Sequence, residues 1–266
     1  MMSRMNSFFQ RLNYFWRLLA TGYCFTFFFG FGFLLALTLL PLVGLTCRDP
    51  LEKHRRARKL VKKIWGFFVW QMEALGILTL RVEGMEHLDQ SCGKLVIANH
   101  PTLIDVVLLI SLMPNTCCVV KEELRHNRFI KGVVKAMGYF SNRSADELLG
   151  GSLREFAAGS AVLVFPEGTR SEGHNSVLKF QRGAANIAAR CRVDIVPVFI
   201  RCEPPALRKG EQWFQIPDRK MQFTLQIRPP IRLSELAIDY SSQAKSSREL
   251  NRFLETYFNE GLKQHE

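Results

Sequence analysis

Hydrophobic and polar positions follow two regimes along this chain. From Leu18 to Leu45 there are 28 consecutive residues without a charge, dense in Phe and Leu, where a helix needs only about 20 to cross a bilayer core. A cleavable leader would have an apolar stretch roughly half as long and end in small residues; here Pro41, Gly44 and Cys47 lead into a basic run. Gly22, Gly30, Gly32 and Pro41 interrupt the stretch, so a kinked helix or shallow hairpin is as consistent with it as one straight span. Ile64 to Leu80 then gathers Trp65, Phe67, Phe68 and Trp70 around a lone Glu73 and reads as an interfacial helix.

After about residue 80 the pattern changes to short β-rich apolar runs separated by helical periodicity. Strands are expected at Ile77 to Val82, Leu95 to Ala98, Thr116 to Val120, Ala161 to Phe165, Asp194 to Ile200 and Gln222 to Ile227. Helices are expected at Leu103 to Leu112, Glu122 to Met137, Ala145 to Ala158, Gln181 to Ala189 and Ser247 to Phe258. Glu203 to Lys220, with three prolines and Gly210, reads as a long loop of the kind that often carries function. The alternation predicts an α/β domain with a mixed sheet flanked by helices over residues 81–266, preceded by a membrane-anchoring helical segment over residues 1–80.

Composition changes this picture in two places. The chain is 47% hydrophobic with 21 Phe, too apolar for disorder, and its net charge of +12 favours anionic partners such as lipid headgroups, acidic carrier proteins or nucleic acid. Eight Lys or Arg lie between Arg48 and Lys63 against Asp49 and Glu52, which places this flank and the following domain on the cytoplasmic face, the inner membrane in a bacterium. Seven cysteines without CxxC spacing indicate neither a disulfide framework nor a zinc cluster. A nucleic-acid role fits the charge but has no recognition motif behind it, and the apolar anchor argues against it.

Three groups of polar residues stand out from their surroundings. The run Leu95 to Asp105 reads as a buried strand, a turn, and a helix whose first turn begins at Pro101 or Thr102. Because Val106 to Leu112 is apolar nearly all round, Asp105 is out of place: a buried carboxylate is costly unless paired, and His100 is the nearest partner. Such a pairing would hold one imidazole nitrogen as donor and leave the other as a base, which an alcohol needs when it attacks a thioester at neutral pH. It needs neither a covalent intermediate nor a metal, although a capping pair without chemistry fits the residues equally well. The second group follows the strand Ala161 to Phe165. In it Glu167, Gly168, Thr169, Arg170 and Ser171 combine close backbone approach, hydroxyls and a guanidinium able to grip a phosphate, at the strand end where ligands collect in α/β sheets. The third is a stripe of Lys121, Arg125, Arg128, Lys131 and Lys135 on one face of the helix expected there, suited to membrane phosphates or an acidic acyl carrier.

These residues resemble the lysophospholipid acyltransferases typified by 1-acylglycerol-3-phosphate acyltransferase. Asn99-His100-Pro101-Thr102-Leu103-Ile104-Asp105 is similar to that family's first block, Phe165 to Ser171 to its third, Val196-Pro197-Val198 to its fourth, and Lys121-Glu122-Glu123-Leu124 to an intervening Lys-x-Glu-Leu element. The likeness spans roughly residues 80 to 200 in the expected order. It implies a glycerolipid acyltransferase-like fold, His100 as general base and Asp105 as its orienting partner. It also implies recognition of the acceptor phosphate by Lys121, Arg143, Glu167, Gly168, Thr169 and Arg170. No cofactor is implied; acyl-CoA or acyl carrier protein serves as co-substrate, and a lysophospholipid in the membrane as acceptor. Gly138 to Arg143 departs from the second block by placing Ser141 and Asn142 between Phe140 and Arg143, and Pro101 replaces a Gln. Another acceptor, a specialised or amino-acid-linked lipid, or an unusual acyl chain is therefore a second expectation, and a non-catalytic scaffold for anionic lipid a third.

Overall fold

The computed structural model describes residues 2–45, 47–171, 177–240 and 242–263, with side chains from residue 9 onward. Three helices come first, α1 (Met2–Leu37), α2 (Leu39–Leu45) and α3 (Pro50–Ala74), and then β1 (Leu78–Glu83) and α4 (Met85–Asp89). The central part is β2 (Leu95–Ala98), α5 (Asp105–Leu112), β3 (Thr116–Val120), α6 (Glu122–His126), α7 (Lys131–Ala136), β4 (Phe140–Ser141), α8 (Ala145–Ala157) and β5 (Ala161–Val164). It closes with α9 (Gly183–Cys191), β6 (Ile195–Glu203), β7 (Met221–Ile227) and α10 (Gln243–Lys263).

The strands form one mixed sheet in the order β1-β7-β6-β2-β5-β3-β4, parallel throughout except between β6 and β7. The β2 and β5 strands, Leu-Val-Ile-Ala and Ala-Val-Leu-Val, are buried at every position, as strands covered by helices on both faces must be. The crossover from β2 through α5 to β3 moves one way across the sheet, and that from β5 through α9 to β6 moves the other. Right-handed connections therefore place α5 and α9 on opposite faces. The crevice between the ends of β2 and β5, where the chain departs in both directions, is the topological switch point of the sheet.

Several sequence expectations change. Glu122 to Met137 is two short helices, because Asn127 is extended (φ −65, ψ 123) and its side chain accepts the Phe129 N–H at 3.0 Å, a local turn that competes with the helical ladder. The stripe of five cations consequently does not lie on one helical face, and Arg125 is engaged by Glu147 at 2.7 Å. The basic run and the aromatic stretch expected to be separate join in α3, capped by Asp49, whose side chain accepts the Glu52 N–H at 2.9 Å. That helix stops at Ala74, and Leu78 to Leu80 belong to β1. The two-residue β4 and the five-residue α4 are too short for periodicity to reveal.

The boundary expected at residue 80 falls inside β1, and the N-terminal helices share the core of the sheet. Helix α1 breaks at Thr38, turns through α2 and returns as α3. Phe27 stacks on Phe68, and Phe28 on Trp65, between α1 and α3. Trp16 Nε1 donates to the Leu75 carbonyl, and Arg17 donates to Pro217 and Asp218 in the loop before β7. Arg58, expected among the surface cations of the basic run, is only 4% exposed. It donates to both carboxylate oxygens of Glu155 at 2.7 and 2.9 Å and to the Met137 carbonyl at 2.8 Å. One strong charge thus fastens α3 to α8 and to the turn after α7.

Burial of Glu155 opposes its ionisation, but the hydrogen bond and charge of Arg58 outweigh it and hold the carboxyl below its ordinary range. A carboxylate depressed on folding contributes stability that is full above its unfolded pKa and is lost as pH falls through the folded value. Arg58→Ala leaves Glu155 buried without its partner and is expected to cost about 3–5 kcal/mol, whereas Arg58→Met combined with Glu155→Met should recover most of that loss. Thermal unfolding of the three proteins at neutral pH checks this, and acidification should narrow the gap between the wild type and the double Met variant.

Candidate active site

The switch-point crevice holds the first and second polar groups of the sequence in direct contact. At the end of β2, Asn99 bonds both the N–H and the carbonyl of Ile200 in β6, at 2.7 and 2.8 Å, which clamps the strand end just before the chain turns. His100 follows. Its backbone N–H donates to Glu167 Oε1 at 2.8 Å, and its carbonyl accepts the Ser171 N–H, also at 2.8 Å. The turn after β5 therefore grips the backbone of the turn after β2 from both sides, while the Phe165 ring lies 4.4 Å from the imidazole centroid.

Asp105 is fully buried at the first residue of α5, and its carboxylate meets three donors. Oδ2 faces His100 Nδ1 at 2.8 Å and the Thr102 N–H at 2.7 Å, and Oδ1 takes the Thr102 hydroxyl at 2.5 Å. A carboxylate only accepts, so the network assigns the hydrogen to Nδ1 and leaves the Nε2 lone pair free. The imidazole is 17% exposed, and Nε2 has no hydrogen-bond partner among the described residues. The helix starts at Asp105 and not at Pro101 or Thr102, because Pro101 to Ile104 form the turn that carries Thr102 back onto the carboxylate. Burial pushes the Glu167 carboxyl above its ordinary value, with Asp105 adding to the effect, while the Ser171 hydroxyl, the His100 N–H and the His100 charge pull it back.

Lys121 and Arg143 occupy the next two strand ends, since Val120 of β3 pairs with Ser141 of β4. Both side chains are exposed and have no ion-pair partner among the described residues. Going outward from His100, the sheet presents the Glu167 to Arg170 turn, then Lys121, then Arg143, one interstrand step of about 4.8 Å at a time. Gly168 has φ +67, and a Cβ there would come within 2.5 Å of the Gln181 side chain. Arg170 is partly committed: its Nη1 donates to the carbonyls of Leu207 and Arg208 at 3.0 and 2.8 Å, tying the long loop to the site. Thr169 sits half-buried between them.

Beside the turn lies an apolar cleft between α1, α3 and the loop before β7. Leu103, Ile104 and Val107 form one wall, Phe25, Phe28 and Met72 another, and among the described residues the polar lining is Arg17, Thr21 and Gln215. Sequence reasoning missed this cleft, the clamping of His100 by Ser171, and the role of Asn99. It noted Thr102 without its function, although Thr-x-x-Asp is the spacing of a reciprocal cap in which an acidic side chain reaches back to the N–H three residues earlier.

Residues 79–201 match the family described as Acyltransferase. Among curated proteins, the 1-acyl-sn-glycerol-3-phosphate acyltransferase of Saccharomyces cerevisiae is 33% identical over 131 residues, covering 46% of this chain and 43% of that protein. The protein of the same name from Helicobacter pylori is 29% identical over 114 residues, 41% and 48% of the two chains. The alpha form from Mus musculus is 27% identical over 177 residues, 61% and 58%. The chain thus spans about half the length of these relatives. The solved structure described as the 1-acyl-sn-glycerophosphate (LPA) acyltransferase PlsC from Thermotoga maritima superposes with TM-score 0.68 at 23% identity, over 96% of this chain and 97% of that one, and so shares its fold. Fold and site are those of an α/β domain similar to the family described as Acyltransferase. The Asn99 to Asp105, Phe165 to Ser171 and Val196 to Val198 motifs all lie within the matched residues 79–201, so the likeness to these relatives centres on the site.

Thr102→Val removes the hydroxyl from Asp105 Oδ1 and leaves a buried acceptor short of a donor, an expected loss of about 1–3 kcal/mol measurable by urea unfolding. Gly168→Ala forces a side chain into the left-handed region and against Gln181; about 1–2 kcal/mol of destabilisation is expected in the same assay.

Proposed function

We propose that this chain is a membrane-associated O-acyltransferase that moves a fatty acyl group from acyl-CoA or acyl carrier protein to the free hydroxyl of a lysophosphatidate-like acceptor. The observation that carries the proposal is the 2.8 Å contact between His100 Nδ1 and a fully buried Asp105, which leaves Nε2 without a partner among the described residues, on a turn whose Leu103 and Ile104 line an apolar cleft. In this reading Nε2 takes the proton of the acceptor hydroxyl as its oxygen attacks the thioester carbonyl. The tetrahedral intermediate collapses with cleavage of the C–S bond, and the imidazolium returns the proton to the departing thiolate. Asp105 keeps the ring in its tautomer and steadies the imidazolium.

Lys121, Arg143 and the Glu167 to Arg170 turn form the cationic and hydrogen-bonding rim suited to the acceptor phosphate. Glu167 and Ser171 also position His100 through its backbone. The cleft lined by Leu103, Ile104 and Phe28 suits an acyl chain.

Membrane association rests on the one segment of the described residues long and apolar enough to cross a bilayer, Phe9–Leu45. Helix α1 is held against α3, Trp213 and Phe129 along much of its length, while Phe9, Leu12, Phe15, Trp16 and Leu19 face outward. That arrangement suits a helix lying in the interface of one leaflet. The basic run favours the cytoplasmic side.

His100→Ala is expected to lower thiol release from acyl-CoA or acyl carrier protein, with lysophosphatidate present, by about 10²–10⁴-fold, with unchanged flotation on liposomes. Turnover near the wild-type rate in that variant, with either donor, would sink the proposal.

A further inference from the structure

A second polar cavity lies at the opposite end of the sheet from His100. It is a groove of about 640 Å³ between α3 and the loops that lead into β2, β3 and β5, with Arg55, Lys59, Lys62 and Lys63 on one wall and Asn115 and Gly159 on the other. Among the described residues no Asp or Glu lines it. Lys62 donates to the Leu112 carbonyl at 2.6 Å, the carboxyl end of α5, and Arg55 stands 3.6 Å from the partly exposed Glu52. Lys59 and Lys63 are exposed and have no partner among the described residues. Since His100 and Glu167 follow the carboxyl ends of β2 and β5, and this groove precedes their amino ends, the two sites are separated by the length of the strands, roughly 15 Å. The groove is therefore not part of the acyl-transfer crevice.

Its ligand is indicated by what lies next to it. On a helix of 3.6 residues per turn, residues 55, 59, 62, 63, 66, 67 and 70 share one face. The cations of that face give way to Phe67 and Trp70, which are 51% and 60% exposed with ring centroids 5.5 Å apart. Trp16, exposed on α1, is fastened to the end of α3 through the Leu75 carbonyl, and Leu12 and Leu19, also exposed, share its face of α1. Lys63 precedes Phe67 by one helical turn, about 6 Å along the axis, so cations and rings lie side by side on that face. Rings that dip into the headgroup boundary would bring the Lys59 and Lys63 ammonium groups, carried on long flexible stems, to the lipid phosphates.

We propose that this groove binds the phosphate headgroup of an anionic phospholipid that is not a substrate, fixing how the protein sits on its membrane. The test uses the full chain and sedimentation with phosphatidylcholine vesicles, with and without one-fifth phosphatidylglycerol. Lys59→Gln with Lys63→Gln is expected to lose about 25-fold in partitioning to the anionic vesicles, two bases each supplying about a fivefold gain at such a surface. Lys59→Arg with Lys63→Arg should bind as the wild type does. Lys245→Gln with Arg248→Gln, which removes the same charge from the exposed face of α10, should lose less than about threefold if the effect is local to the groove. Equal losses in the two neutralised proteins would mean diffuse attraction and would overturn the proposal. So would unchanged vesicle binding with a raised KM for the acyl donor, or calorimetric saturation of the wild-type groove by inorganic phosphate below about 1 mM with no preference for anionic vesicles.

Discussion

The site depends on one fully desolvated carboxylate. Asp105 lies under an apolar helix, where an uncompensated charge costs several kcal/mol, and it is made tolerable by three donors that come from only two residues, Thr102 and His100. Each donor has a structural consequence. The Thr102 N–H draws Pro101 to Ile104 into a turn and sets where α5 starts. The Thr102 hydroxyl occupies the second oxygen, and His100 Nδ1 completes the set, so the imidazole is oriented as a by-product of satisfying the aspartate. A base with a fixed tautomer emerges from the requirement that buried polar groups be paired.

The same turn is held from outside by a segment more than sixty residues away. Glu167 and Ser171 take the N–H and the carbonyl of His100, and Asn99 does the equivalent for β2 against β6. Backbone groups at the switch point have no neighbouring strand to pair with, so the third block completes their hydrogen bonding. This gives Glu167 and Ser171 a role in shaping the loop in addition to any contact with ligand. Arg170 extends the scheme to Leu207 and Arg208, and through that loop to the wall of the apolar cleft.

The N-terminal helices are part of this construction. Arg58 reaches through the core surface to Glu155, and Arg17 holds the loop before β7. Phe28 and Met72 supply the cleft wall opposite Leu103 and Ile104. The N-terminal helices and the sheet are therefore one packed unit, with an outward apolar face on α1 and α3 and a basic groove beside it. That apolar face and the His100 crevice are held in fixed relation by ordinary core packing.

Local chemistry made much of this legible in the sequence alone. Apolar runs bounded by Gly, Pro and Asn located β2 and β3 to the residue, and the misplaced Asp105 beside His100 pointed to their pairing before any fold was known. The polar turn at Phe165 to Ser171 announced itself as a ligand-type strand end. What the sequence could not decide were effects that depend on distant partners. Asn127 broke an otherwise helical pattern through one side-chain hydrogen bond, Arg58 turned inward because Glu155 was waiting, and β4 exists only because β3 offers an edge. Periodicity reports which face of a segment prefers water. Whether a charge on that face meets solvent, a carboxylate or a lipid is settled by the tertiary structure, because the free energy of a charge depends on what surrounds it.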